Sequence, residues 1–127
     1  RLNHIYHVNM VRLYTEGRLG DKAEWISERQ VNAERKADDK KHLVDGEVLY
    51  QDTVIGIEVE QTQKTKRRLA SILYELQEDY VAVWYFVAEG ALGAVEEMIS
   101  KREGTDDQKD WRTFVIYPMS HILSKID

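Results

Sequence analysis

Three acids in this chain stand where a divalent cation could be held. Glu58 and Glu60 lie two residues apart in the segment 54–60, and Asp45 precedes them across an expected hairpin turn. If 54–60 is a strand, its two-residue period puts Val54, Gly56, Glu58 and Glu60 on one face and Ile55, Ile57 and Val59 on the other. The second face is core. On the first, the hairpin brings Asp45 towards Glu58 or Glu60, and Gly56 is expected to leave open space for a metal and a phosphate. Like charges gathered this way repel unless a proton or a cation sits between them. Hard oxygen ligands suit Mg²⁺ or Mn²⁺ better than Zn²⁺, since the chain has no cysteine and His42 is the only histidine expected nearby. Such an ion polarises a phosphoryl oxygen and lowers the pKa of a bound water, which is what phosphodiester hydrolysis requires.

Each of these residues also has a plainer reading. Glu alternating with apolar residues solubilises an exposed strand, and Asp45 followed by Gly46 makes a simple turn. Lys64, four residues beyond Glu60, could offset phosphate charge or orient a water; a Lys at a helix terminus is most often just solvated. Glu28 could favour the dipole at a helix start or add a further acid to the site.

The elements that must position these groups follow from periodicity. Ile5, Val8, Val11, Leu13 and Tyr14 predict an amphipathic helix over 4–14 that ends before Gly17. Residues 24–26 read as a short strand. Ser27 and Gln30 form a capping-box pattern, so a helix should occupy about 28–36. Residues 42–50 and 53–60 read as a hairpin. Thr62 or Thr65 caps a helix running to about Gln77, with Leu69, Ile72, Leu73 and Leu76 as its apolar stripe. Residues 80–87 are so uniformly apolar that they predict a strand covered on both faces. A helix over 90–101, a loop over 104–109 and a last strand over 111–117 complete the pattern. Strand, helix, strand from 60 through 87 implies a parallel crossover beside the antiparallel hairpin. The expected fold is therefore a three-layer α/β arrangement around a mixed sheet.

At 127 residues the chain fits a single domain with a usable core, burying roughly two-thirds of its unfolded surface. It is 43% hydrophobic and 32% charged with a single proline, as ordinary folded proteins are. The longest apolar run, 80–88, is too short to span a bilayer, and no signal-peptide pattern opens the sequence. With no cysteine, disulfides and thiolate metal sites are excluded, and the cytoplasm is the expected compartment. A net charge of −5 gives no global attraction to nucleic acid. Local positive clusters at Arg35 and Lys36, Lys40 and Lys41, and Lys64 to Arg68 remain candidates for contact, or are solvated faces. A first residue of Arg1 rather than Met suggests a piece of a longer protein, and an apolar surplus in the first helix leaves a homodimer open.

The acids resemble the pattern of the PD-(D/E)XK, or restriction-endonuclease-like, superfamily: one acid on a strand, then acid-x-Lys on the next. Asp45 stands as the first acid and Glu58, Val59 and Glu60 as the triplet, with Glu60 in place of Lys; Lys64 would then supply the displaced ammonium. More narrowly, three sets of residues resemble the plasmid replication-relaxation family. The first is His4, Val8, Asn9 and Arg12; the second is Trp25, Ser27, Glu28 and Arg29. The third is Asp45 and Gly46, then Glu58, Val59, Glu60, Thr62 and Lys64, with Arg68, Ile72, Leu73 and 84–87 beyond. The similarity spans roughly 3–89. It implies an α-β-β-β-α-β core, a winged-helix segment preceding this region, and work on DNA.

These readings give a metal-dependent DNA-processing domain in which Asp45, Glu58 and Glu28 bind Mg²⁺ or Mn²⁺, Glu60 ligates or orients water, and Lys64 assists. The alternative is a non-catalytic module contacting DNA or protein, with Lys64, Lys66, Arg67 and Arg68 meeting the phosphates. A tyrosine-nucleophile mechanism fits less well, because Tyr80 and Tyr85 lie in apolar runs where packing is the better explanation. Trp84 and Trp111 read as core, and Trp25 as core or interface.

Overall fold

Alternating apolar residues, broken by two positions that accept a left-handed backbone, build the sheet on which everything else rests. The structure, a computed structural model, describes residues 2–35, 44–103 and 113–126. The elements run α1 (Leu2–Leu19), β1 (Glu24–Ser27), α2 (Glu28–Arg35), β2 (Gly46–Tyr50), β3 (Thr53–Glu60), α3 (Lys66–Asp79), β4 (Ala82–Val87), α4 (Glu89–Glu103), β5 (Phe114–Pro118) and α5 (Met119–Ile126). The strands lie side by side in sequence order. β1, β2 and β3 are antiparallel, and β3, β4 and β5 are parallel. The expected mixed sheet is present, and β3 is its central strand.

The hairpin closes through Gln51 and Asp52, both at positive φ (51° and 64°). Two consecutive left-handed residues match the twist of the flanking strands, which sets the β2–β3 register and with it the face that each acid occupies.

One face of the sheet packs Val48, Ile55, Ile57, Val59 and Phe86 against Val11 of α1 and Met119 and Ile122 of α5. The other packs Val83, Tyr85 and Val87 against Val31, the α3 stripe Leu69, Ile72, Leu73 and Leu76, and Ala91, Val95 and Ile99 of α4. Burying each such aliphatic side chain contributes about 1.5–3 kcal/mol before entropy is counted. Thr65 is the residue that caps α3, its hydroxyl accepting from the Arg68 N–H at 3.2 Å. The capping box also forms: the Gln30 N–H reaches Ser27 Oγ at 3.3 Å, and the Ser27 N–H reaches Gln30 Oε1 at 3.1 Å.

Several boundaries differ from expectation. α1 runs through Gly17, where a side chain would meet nothing within 4 Å, and stops at Gly20 (φ +80°), whose N–H bonds Glu16 O at 2.9 Å. Packing of Leu19 against the core outweighs the cost of one helical glycine, about 1 kcal/mol. Tyr80 ends α3 rather than opening β4, its N–H bonding Leu76 O at 3.0 Å. α5 was not expected at all, although Met119 and Ile122 have the spacing of one helical face. The expected loop at 104–109, Trp111, His42, Lys36, Lys40 and Lys41 lie outside the described residues.

Gly46 admits the Trp25 ring. A Cβ there would fall 2.5 Å from Trp25 Cζ2, so Gly46→Ala must displace a rigid indole. Urea denaturation should show a loss of about 1–3 kcal/mol, the usual cost of overpacking.

Candidate acidic site at the end of strand β3

Glu58 and Glu60 occupy the C-terminal end of β3 on the face shared with Tyr85, and each is only 3% exposed. Solubility does not explain them. In the parallel register Glu58 lies beside Tyr85, and Glu60 beside Val87. The Tyr85 hydroxyl donates to Glu60 Oε1 at 3.1 Å, and the Lys64 ammonium pairs with Glu60 Oε2. Both oxygens of this buried carboxylate are thus engaged, as burial of a charge requires.

Asp45 sits just before β2. Its N–H bonds Ile57 O at 2.9 Å, and its Oδ2 accepts the Val59 N–H at 2.7 Å, so it grips the backbone on either side of Glu58. Asp45 Oδ1 takes a second bond, from His4 Nε2 at 2.8 Å. His4 Nδ1 lies 3.2 Å from Gln61 Oε1, and the Gln61 amide also meets His7. This chain of contacts ties α1 to the site. His42, expected as the neighbouring histidine, lies outside the described residues; His4, 41 positions from Asp45 in sequence, is a histidine that meets it. The signal was available, because His4 opens the first of the motifs quoted above.

The Tyr85 phenol registers how closely these acids gather. Its pKa is pushed far above the usual value, first by burial, then by the charges of Glu58 and Glu60, the hydrogen bond to Glu60 and the charge of Asp45. A raised folded-state pKa means the unfolded chain loses this proton first, near pH 10, while the folded chain keeps it. Stability is therefore expected to fall above about pH 10, by about 1.4 kcal/mol per pH unit from this group. Urea midpoints measured across that range should flatten in Tyr85→Phe.

One expectation about space is overturned. Gly56 does not open a cavity beside the acids: the Tyr80 ring covers it, with Cδ2 and Cγ 3.1 Å from where a Cβ would stand. Tyr80 is held there by a hydrogen bond from its hydroxyl to Glu47, the residue paired with Gly56 across the hairpin.

Space lies instead on two other sides. A pocket of about 430 Å³ is formed by α1, β1 and α2. All the quoted residues of the motifs beginning at His4 and at Trp25 line it, and so does Asp45. Glu28 is among them, which brings it to the same pocket as Asp45. A second cavity, about 470 Å³, lies between the start of α3 and α4 and is lined by Lys64, Lys66 and Lys101. Arg67 and Arg68 are exposed on the first turn of α3. Tyr80 and Tyr85 are buried, as their apolar runs implied, at 7% and 0% exposure.

Among the described residues no group of three or more His, Asp or Glu side chains is gathered to hold a metal alone. Asp45 and Glu58 both bring negative charge to the Tyr85 hydroxyl. Mg²⁺ commonly uses one or two protein carboxylates and completes its shell with water and substrate phosphate. Glu60 has one oxygen on Lys64 and the other on Tyr85.

Fold and site together define an α/β chain with a mixed five-strand sheet, helices on both faces and buried acids at the end of its central strand. No helix among the described residues is long and apolar enough to cross a membrane. Comparison with protein-family models, curated proteins and solved structures finds no match.

Proposed function

We propose that this chain is a metal-dependent DNA-processing domain that hydrolyses phosphodiester bonds, belonging to a plasmid or mobile-element replication or mobilisation protein. The observation that carries the reading is the gathering of Asp45, Glu58 and Glu60 around one end of β3, with Lys64 drawn against Glu60. The succession of a helix, three antiparallel strands, a helix and a strand supports a restriction-endonuclease-like core, with α2 inserted between β1 and β2. The site also lies at the C-terminal ends of the parallel strands, where open α/β sheets take their ligands.

In this reading Asp45 and Glu58 hold Mg²⁺ or Mn²⁺, and Glu28 is the further acid beside Asp45. When bound, the ion supplies Lewis-acid polarisation of the phosphoryl group and a more acidic water. Asp45 arrives preoriented, since Val59 N–H and His4 fix both its oxygens while leaving each a second lone pair. Lys64 gives one donor direction to Glu60 and keeps others for a phosphate oxygen. Lys66, Arg67 and Arg68 extend that positive surface along the start of α3.

The test is incubation of supercoiled and linear DNA with the chain in Mg²⁺, Mn²⁺ or chelator. Metal-dependent cleavage that is lost in Asp45→Ala supports the reading; DNA left intact under every metal condition overturns it. A second reading, a non-catalytic DNA-binding module, draws on the exposed cations of α3. It requires salt-sensitive binding that ignores chelator and disappears when Lys64, Lys66, Arg67 and Arg68 are neutralised.

A further inference from the structure

We infer that the pocket between α1, β1 and α2 binds one unpaired nucleotide of the DNA strand, so that the substrate is single-stranded or locally opened at the site. This rests on DNA being the substrate, as proposed above. The pocket holds about 430 Å³, within the usual range of about 300–1,000 Å³ for small-ligand sites and far too small for a duplex. Its lining combines what a nucleotide needs. Trp25 supplies a half-buried indole that packs close to Gly46, where a side chain would displace it. The Arg12 guanidinium lies over that ring, 5.9 Å from its centre, and pairs with Glu16 at 3.3 Å, while Arg29 brings a second positive charge. Asn9 and Asn32 are exposed carboxamides on the same walls, able to donate to and accept from a base edge.

Proteins hold unpaired bases by stacking them on aromatic rings and arginine guanidinium planes, whereas a base inside a duplex is already stacked on both faces. The position of the pocket adds direction. Asp45 belongs both to its lining and to the acidic site, so a nucleotide held there places a neighbouring phosphate next to the acids. Glu28 and Asp45 in the lining disfavour a free phosphate in the pocket itself, which leaves the base as the recognised part.

The test is fluorescence anisotropy with a labelled single strand and with the same sequence as a blunt duplex, in chelator so that cleavage plays no part. The single strand should bind about tenfold or more tightly than the duplex. Trp25→Ala should weaken single-strand binding by about tenfold to a hundredfold and leave the duplex unaffected, while Trp25→Phe keeps most of the affinity. Because Trp25 also packs, the exposed pair Asn9→Ala with Arg12→Gln provides an independent check, with a loss of about fivefold or more expected for the single strand alone. Equal affinity for both DNA forms, no binding to either, or single-strand binding unchanged in the exposed pair overturns the inference. Duplex cleavage with no preference for the single strand would sink this inference and spare the hydrolysis reading. Trp25-dependent single-strand binding without cleavage in any metal would do the reverse.

Discussion

Glu58→Gln is expected to lower the rate of DNA cleavage by about a hundredfold to a thousandfold while the chain stays folded. Lewis-acid stabilisation of a phosphoryl transition state is worth several kcal/mol, and each 1.36 kcal/mol is a factor of ten. The amide has the size of the carboxylate but lacks its charge, so the fit at this 3%-exposed position is preserved while the cation of the proposed reading would lose a ligand. Cleavage rates at saturating DNA across a Mg²⁺ and Mn²⁺ titration, beside circular dichroism and DNA affinity in chelator, separate that outcome from misfolding. A variant that cleaves at the wild-type rate would remove Glu58 from the chemistry. Asp45→Asn should behave differently, because its carboxylate also bridges α1 and β3. Activity should fall with it, and so should stability.

Lys64→Met is expected to cost about 2–3 kcal/mol of folding stability. Removing one partner of a buried ion pair typically costs about 3–5 kcal/mol, since the remaining charge is stranded. Here the Lys64 side chain is 29% exposed and Tyr85 still donates to Glu60, which places the effect below that range. Urea denaturation measures it directly. The triple variant Lys64→Met, Glu60→Leu and Tyr85→Phe should regain most of the loss, because it removes the ion pair together with the buried hydroxyl that donates to Glu60 and so strands nothing. If the single variant is as stable as the wild type, the pair is a solvated surface contact after all.

The elements of the sheet were legible because each segment obeys a simple period. The two-residue alternation of 53–60, the apolar block before residue 88 and the stripe of α3 each specify one burial pattern, and each element forms. α5 escaped because it starts immediately after Pro118 and is only eight residues long, too short for periodicity to stand out. The acids were legible as a set: Glu58, Glu60 and Lys64 through local spacing, Asp45 through the hairpin. What local spacing could not supply was the use made of their oxygens. Glu60 is committed to Lys64 and Tyr85, and Asp45 to His4, through contacts whose partners are separated by up to 41 positions. Gly56 misled for the same reason. A glycine in a strand signals either space or the close approach of another group, and Tyr80 occupies that space from outside the strand.

The pairing of α1 with α5 over one face of the sheet has a consequence for biosynthesis. Val11 shares its cluster with Met119 and Ile122, so α1, once made, waits for α5 before that side is sealed. Until α5 is made, Val48, Ile57 and Phe86 lack part of their cover, and nascent chains paused before residue 119 should be the form that chaperones hold and proteases cut.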